Sequence, residues 1–231
     1  MFGWTLVART GSCPTVLPIQ TTLPCILLFM ENNLRSELAE LIGFVHSRGW
    51  AEGTGGNFSR VLSIDPLRIL VTPSGIDKGQ VTPEQLLVVN EKGEVVQGSA
   101  KPSAETLLHV PIVEETGAKV VLHTHSVWNT LASLSPGNEY LVSGLEMLKG
   151  LQGVSTHEHI ESVPILENSQ DVPSLSLQLR DTLKAFPKAH AVLLRGHGVY
   201  TWGCDIFEAK RHIEILEFLF EVSWRRNNLD N

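Results

Sequence analysis

Cysteine is scarce in this chain of 231 residues. There are three, Cys13, Cys25 and Cys204, and none pairs with another at zinc-ligand spacing. No disulfide framework is implied, which suits a reducing compartment, so the expected location is cytoplasmic. Positive charge is also short: 18 Lys and Arg against 25 Asp and Glu leave a formal charge of −7. A global basic field for nucleic acid is therefore excluded, though a local amide-lined pocket can still hold a small anion. A run of about 18 uninterrupted apolar residues is missing too, which argues against a membrane span. No glycine-rich loop ends in the Gly-Lys-Ser/Thr of a Walker motif. What is present is ordinary globular composition, 42% hydrophobic and 19% charged, with length for one large core.

The first 29 residues differ from the rest. They hold no acidic residue and one basic one, Arg9, and Pro14, Pro18 and Pro24 break helical pattern. A secretory signal wants a basic start and an unbroken apolar centre. Residues 1–29 therefore read as a disordered extension or an upstream start, and 30–231 as a single domain. From Asn33 a helical stripe begins with Leu34, Leu38, Leu41, Ile42 and Val45. Short strands are expected at 61–64, 68–72, 86–90 and 95–96, and a helix over 104–115. Ser126 caps a helix over 127–134, a further helix is expected near 145–149, and Asp171 caps another reaching 185. Strands at 163–166 and 189–194 follow. Asp205-Ile206-Phe207-Glu208 reads as a capping box opening a long last helix. The pattern predicts an α/β chain, a three-layer αβα sandwich around a largely antiparallel or mixed sheet.

The chemistry gathers at strand ends. Ala118 to Leu122 is a buried run, and His123 and His125 follow it one residue apart. Alternate strand residues share a face, so these two imidazoles project together. His197 lies just past the second buried strand, between Gly196 and Gly198. Three neutral imidazoles with an open position suit a catalytic divalent ion. A second pair, His157 and His159, lacks a buried run before it and reads as wet and peripheral. His46, His109, His190 and His212 read as structural. Two carboxylates, Glu105 at a helix entry and Glu146 in an apolar segment, are candidates for moving protons; spacing alone does not choose between them. Loops at 55–59, 72–75 and 102–104 are rich in small residues whose amides and hydroxyls can cradle phosphate.

Together these residues resemble the class II aldolase family, a zinc-dependent group that includes fuculose and rhamnulose phosphate aldolases and ribulose phosphate epimerase. The shared features run in order from a Gly-Asn-x-Ser loop at Gly56 to His197: a Ser-Gly turn, Lys-Pro-Ser-x-Glu, His-x-His and a later histidine. The resemblance implies one Zn²⁺ per subunit on His123, His125 and His197. It implies a phosphate held by Gly56, Asn57, Ser74, Gly75 and Ser103, and a homotetramer with sites near subunit interfaces. Residues 54–59, 146–150 and 197–203 are similar to a dehydratase branch of the family, which removes water from a methylthio-substituted ketose 1-phosphate in methionine salvage. Through that resemblance Glu146 is the first choice for acid/base work and Glu105 the second or a positioning group. The alternatives are a class II sugar-phosphate aldolase or epimerase, and a metal-containing binding module without catalysis. The expected partner is a small phosphorylated ketose, with no nucleic acid and no membrane.

Overall fold

The computed structural model describes residues 23–227. Of the extension expected over residues 1–29, residues 1–22 lie outside that range and 23–29 fall in the first helix. Helix α1 (Leu23–Ser47) leads, ten residues earlier than the stripe from Asn33 predicts. Pro24 does not break it, because it falls in the first turn, where an N–H has no intrahelical partner to lose. Leu38, Leu41, Ile42 and Val45 are buried as the stripe requires. Each such side chain contributes about 1.5–3 kcal/mol on leaving water.

A meander of β1 (Asn57–Ile64), β2 (Leu67–Val71), β3 (Leu87–Val89) and β4 (Val95–Gln97) follows. Then come α2 (Thr106–Thr116), β5 (Val120–Thr124), α3 (Val127–Ser133), β6 (Glu139–Val142) and β7 (Glu161–Leu166). The chain closes with α4 (Val172–Ala185), β8 (Ala191–Leu194), β9 (Gly198–Gly203) and α5 (Ile206–Asn227). One nine-stranded sheet has the order β4-β3-β2-β1-β5-β9-β8-β7-β6. Every neighbouring pair is antiparallel except β7 with β8.

Alternation along the strands divides the core in two. Leu122 and Leu193 face α1 and α5 through Leu38, Ile42, Ile213 and Phe220. Val121 and Val192 face α2 and α4 through Leu108, Ile112, Leu175 and Leu179. Helices on both faces of a mixed sheet make the three layers that the sequence pattern predicts.

Two strands were not anticipated. β6 is short and alternates exposed with buried residues; β9 is buried throughout but begins on the last glycine of the Gly-His-Gly turn, which masks it. The helix expected near 145–149 is a single 3₁₀ turn, Glu146–Gly150. Gly150 explains its tight seat, since a side chain there would strike Ile215 of α5. The capping residues behave as expected at Ser126 and Asp171, whose side chains accept from the amides of Asn129 and Ser174. At α5 the box is shifted: Asp205 accepts from the Glu208 amide, but Glu208 reaches back to the Cys204 amide.

Candidate metal centre

β5 and β9 lie side by side in the middle of the sheet, so the end of one and the start of the other meet at one end of the strands. His123 pairs with Tyr200 and Thr124 with Val199 across them. Close backbone approach holds this end together. A Cβ on Gly198 would collide with the Thr124 carbonyl, and one on Gly56 with the His123 carbonyl. Gly56 also has φ +73°, a conformation that glycine adopts without strain. The His125 amide is tied to the Trp50 carbonyl at 2.9 Å, which fixes the residue beyond the strand's end.

The three rings converge through Nε2. His123 Nε2 lies 2.8 Å from His125 Nε2 and 3.3 Å from His197 Nε2. The far side of two rings is already committed: His123 Nδ1 donates to the Val199 carbonyl at 3.0 Å, and His197 Nδ1 faces Asn168 Oδ1 at 3.3 Å. Donation from Nδ1 leaves Nε2 as a lone pair, so lone pairs point at one another. That arrangement is repulsive by itself and fits a cation between them. Ligands about 2.0–2.1 Å from a tetrahedral Zn²⁺ stand about 3.3 Å apart, close to the observed spacing. Burial, then the neighbouring rings, hold the His123 imidazole well below its usual pKa. Burial chiefly lowers His125 to about 4. Both are therefore neutral, the ligating form, near pH 7. Tyr200 stacks on His123 with ring centroids 4.0 Å apart and fixes its plane.

Glu105 completes the group. It stands at the residue before α2, with Oε1 3.3 Å from His197 Nε2 and Oε2 3.7 Å from His123 Nε2. Glu105, His123, His125 and His197 can hold one metal ion, with ligand atoms all within 4.8 Å of one another. Asn57 Nδ2 donates to Glu105 Oε2 at 2.8 Å, so this expected phosphate residue engages the carboxylate.

Of the other loop residues, Ser103 touches Glu105 directly and the Ser74 turn is tied to the segment before it. The Glu105 amide donates to Ser103 Oγ at 3.3 Å. An isolated bridge joins Pro73 to Pro102, and the Ser74 amide bonds the Lys101 carbonyl at 2.8 Å. The turn of Ser74 and Gly75 is thereby held against the segment of Ser103. Lys78, which sequence reasoning missed, is buried and ties this turn to the glycine loop through the Thr54 and Ile76 carbonyls. Its only signal is a lone lysine in Asp77-Lys78-Gly79.

Glu146 is elsewhere. Its side chain is 71% exposed and pairs with Lys149 at 2.8 Å. The 3₁₀ turn that carries it packs on α5, on the sheet face opposite the one shared by Val121 and Tyr200. Within one chain the structure does not bring Glu146 to the histidines. His157 lies 3.8 Å from Glu146, and His159 bonds Glu161, so the second alternating pair holds no metal group among the described residues.

The class II aldolase and adducin N-terminal domain family matches residues 36–224. The chain belongs to this family. Among curated relatives, methylthioribulose-1-phosphate dehydratase of Methylococcus capsulatus is 40% identical over 195 residues, covering 84% of this chain and 94% of the relative. The enzyme of that name from Marinobacter nauticus is 43% identical over 183 residues, covering 77% and 86%. Among solved structures, YgbL of Escherichia coli superposes with a TM-score of 0.70 at 26% identity, over 84% of this chain and 89% of that one. L-Fuculose-1-phosphate aldolase of Thermus thermophilus also gives 0.70, at 24% identity, over 87% and 98%, which speaks for the shared class II aldolase fold.

Proposed function

We propose that this chain is a zinc-dependent hydro-lyase that converts 5-methylthioribulose 1-phosphate to 5-methylthio-2,3-dioxopentyl phosphate and water, in cytoplasmic methionine salvage. The observation that carries metal-dependent proton transfer is Glu105, a carboxylate 3.3 Å from one of three convergent imidazoles. Its standing as a dehydratase draws on relatives of that name at about 40% identity. One Zn²⁺ per subunit would sit on His123, His125 and His197, and it supplies Lewis acidity toward the oxygens of the substrate.

The chain's own groups do the rest. The amides and hydroxyls of Gly56, Ser74, Gly75 and Ser103, with Asn57, bind the phosphate at C1. A carboxylate takes the proton from C3, giving an enediolate. An acid then protonates the departing C4 hydroxyl, water leaves, and the enol becomes the 2,3-diketone. The 3.3 Å approach of Glu105 to His197 Nε2 supports giving it one of these transfers. Glu146 keeps its role as acid/base partner if a second copy delivers it, since one chain holds it away from the histidines. The homotetramer implied by resemblance is an assembly that can do this.

Mixing inactive His123→Ala and Glu146→Gln chains tests that arrangement. Partial recovery of activity is expected, because hybrid assemblies contain sites with both groups intact. No recovery in exchanged assemblies would assign Glu146 to its own chain's site or to none. A second reading, a sugar-phosphate aldolase, is favoured by Glu105 being the carboxylate at the histidines. Incubation with 5-methylthioribulose 1-phosphate and with fuculose 1-phosphate separates the two. Diketone formation from the first is expected; aldehyde release from the second, with no diketone, sinks the dehydratase.

A further inference from the structure

Behind Glu105 runs a line of buried polar groups that metal binding does not itself require. Asn57, Ser59 and His109 are all buried. His109 reaches from α2 to β1, with Nδ1 2.7 Å from Ser59 Oγ and Nε2 hydrogen-bonded to Asn57 Oδ1. Asn57 Nδ2 donates to Glu105 Oε2.

The direction of each bond follows from what the atoms can do. A carboxylate accepts only, so Asn57 presents its NH₂ to Glu105 and its carbonyl to His109. A carbonyl also accepts only, so His109 carries its proton on Nε2. Burial keeps that imidazole neutral, with its pKa lowered to about 3. Nδ1 is then an acceptor, and the Ser59 hydroxyl donates to it. All three bonds point one way: Ser59 to His109, His109 to Asn57, Asn57 to Glu105. Reversing the Asn57 amide would set a carbonyl against the carboxylate and an NH₂ against the Nε2 proton. Tyr200 walls the line: its ring meets His109 edge-on at 5.7 Å and stacks on His123.

We propose that His109 is a positioning residue, whose Nε2–H locks the Asn57 amide so that its NH₂ holds the Glu105 carboxylate toward the metal-binding histidines. The inference deepens the proposed function and rests on Glu105 acting in proton transfer. It also gives Asn57 a duty beyond phosphate binding. A partner one step behind a metal-site group commonly changes activity by about 10- to 100-fold when lost.

The test joins side-chain ¹⁵N NMR with kinetics on the zinc-loaded protein. His109, assigned by its absence in His109→Gln, is expected as the neutral Nε2–H tautomer from pH 6 to 8. The Nδ1–H tautomer, or a doubly protonated ring, overturns the proposal. His109→Leu is expected to lower kcat about 10- to 100-fold with KM little changed. His109→Gln, which places an amide NH₂ near the Nε2–H position, is expected to recover most of that loss. Equal kcat in the two variants overturns the proposal. If His109→Leu does not fold, the tautomer of the unaltered protein still decides. If the unaltered protein makes no diketone, the dehydratase reading fails, while the tautomer and its loss in Asn57→Leu still report on the line of bonds.

Discussion

Two clusters of three histidines and one glutamate stand at opposite ends of the same strands. At one end, His123, His125 and His197 meet Glu105. At the other, where β9 finishes and β8 begins, His159, His190 and His212 gather near Glu161. The residue types are identical, and the chemistry is opposite. At the metal end ring nitrogens converge on one another with no protein donor between them. At the far end His190 and His212 have a partner on both nitrogens. His190 Nδ1 bonds Glu161 at 2.9 Å and Nε2 the Gln152 carbonyl at 2.8 Å. His212 donates to the Trp202 carbonyl and accepts from the Gln152 amide. Both His190 nitrogens face acceptors, an arrangement that favours the imidazolium, the form with a proton on each. Burial opposes its charge, but the bond and charge of Glu161 outweigh burial and raise its pKa. The pKa of His123 falls and that of His190 rises, although both rings are largely buried. What makes a metal site is convergence of free lone pairs, and a count of histidines does not measure that.

Removing a proposed ligand at the metal end should give the largest effect. His123→Ala is expected to lose bound metal and to lower turnover on the order of 1000-fold or more, because Lewis acidity worth several kcal/mol goes with it. Metal analysis beside the diketone assay checks this. Full activity in the metal-depleted variant would defeat every zinc mechanism above.

At the far end the same measurement should find the reverse pattern. Glu161→Gln is expected to keep its metal and lose about 3–5 kcal/mol of stability, since it strands a buried charge on His190. The sign with pH is fixed by the two shifts. Glu161 is pulled down by its bonds to His190, against burial, so its contribution is lost as pH falls through its folded pKa. His190 is raised, so its contribution is lost as pH rises through its own. Urea unfolding should therefore show the widest gap from the unaltered protein between about pH 4.5 and 6.5. Equal stability across that window would mean the pair does not form.

The contrast between the ends also marks how much the sequence discloses. His123, His125 and His197 are legible because buried apolar runs precede them and the period of a strand fixes their side. Glu105 and Glu146 are not separable that way. Spacing says nothing of which sheet face a 3₁₀ turn will pack on, and Gly150 against Ile215 decides it. The layers, the caps at Ser126 and Asp171 and most strand positions follow from period and capping chemistry. β9 escapes because its glycine borders look like loop, and the start of α1 escapes because Pro24 looks like a breaker. His109 reads as structural from its helix, and its link to Asn57 spans 52 residues that no local pattern connects.

Two glutamates sharpen the comparison further. Glu161 and Glu217 are 2% and 3% exposed, yet their pKa values move in opposite directions. Among the described residues no cation pairs with Glu217 on α5. Its carboxyl accepts from Ser126 Oγ at 2.6 Å and Asn129 Nδ2 at 2.9 Å, just behind His125. Burial, which these bonds only partly offset, pushes it up to about 7. The folded protein thus holds this proton over a range where the unfolded chain, near 4.3, has lost it, and stability falls as pH rises from about 4.5 to 7. The full penalty, roughly 4 kcal/mol for a shift of this size, is present above pH 7. Glu217→Gln cannot ionise and should flatten that slope. The other titratable groups are common to both proteins, so the difference between the two stability curves isolates Glu217. Parallel curves from pH 5 to 8 would mean that solvent or a shifted Ser126 relieves the carboxylate, and that burial alone does not set the sign at this end.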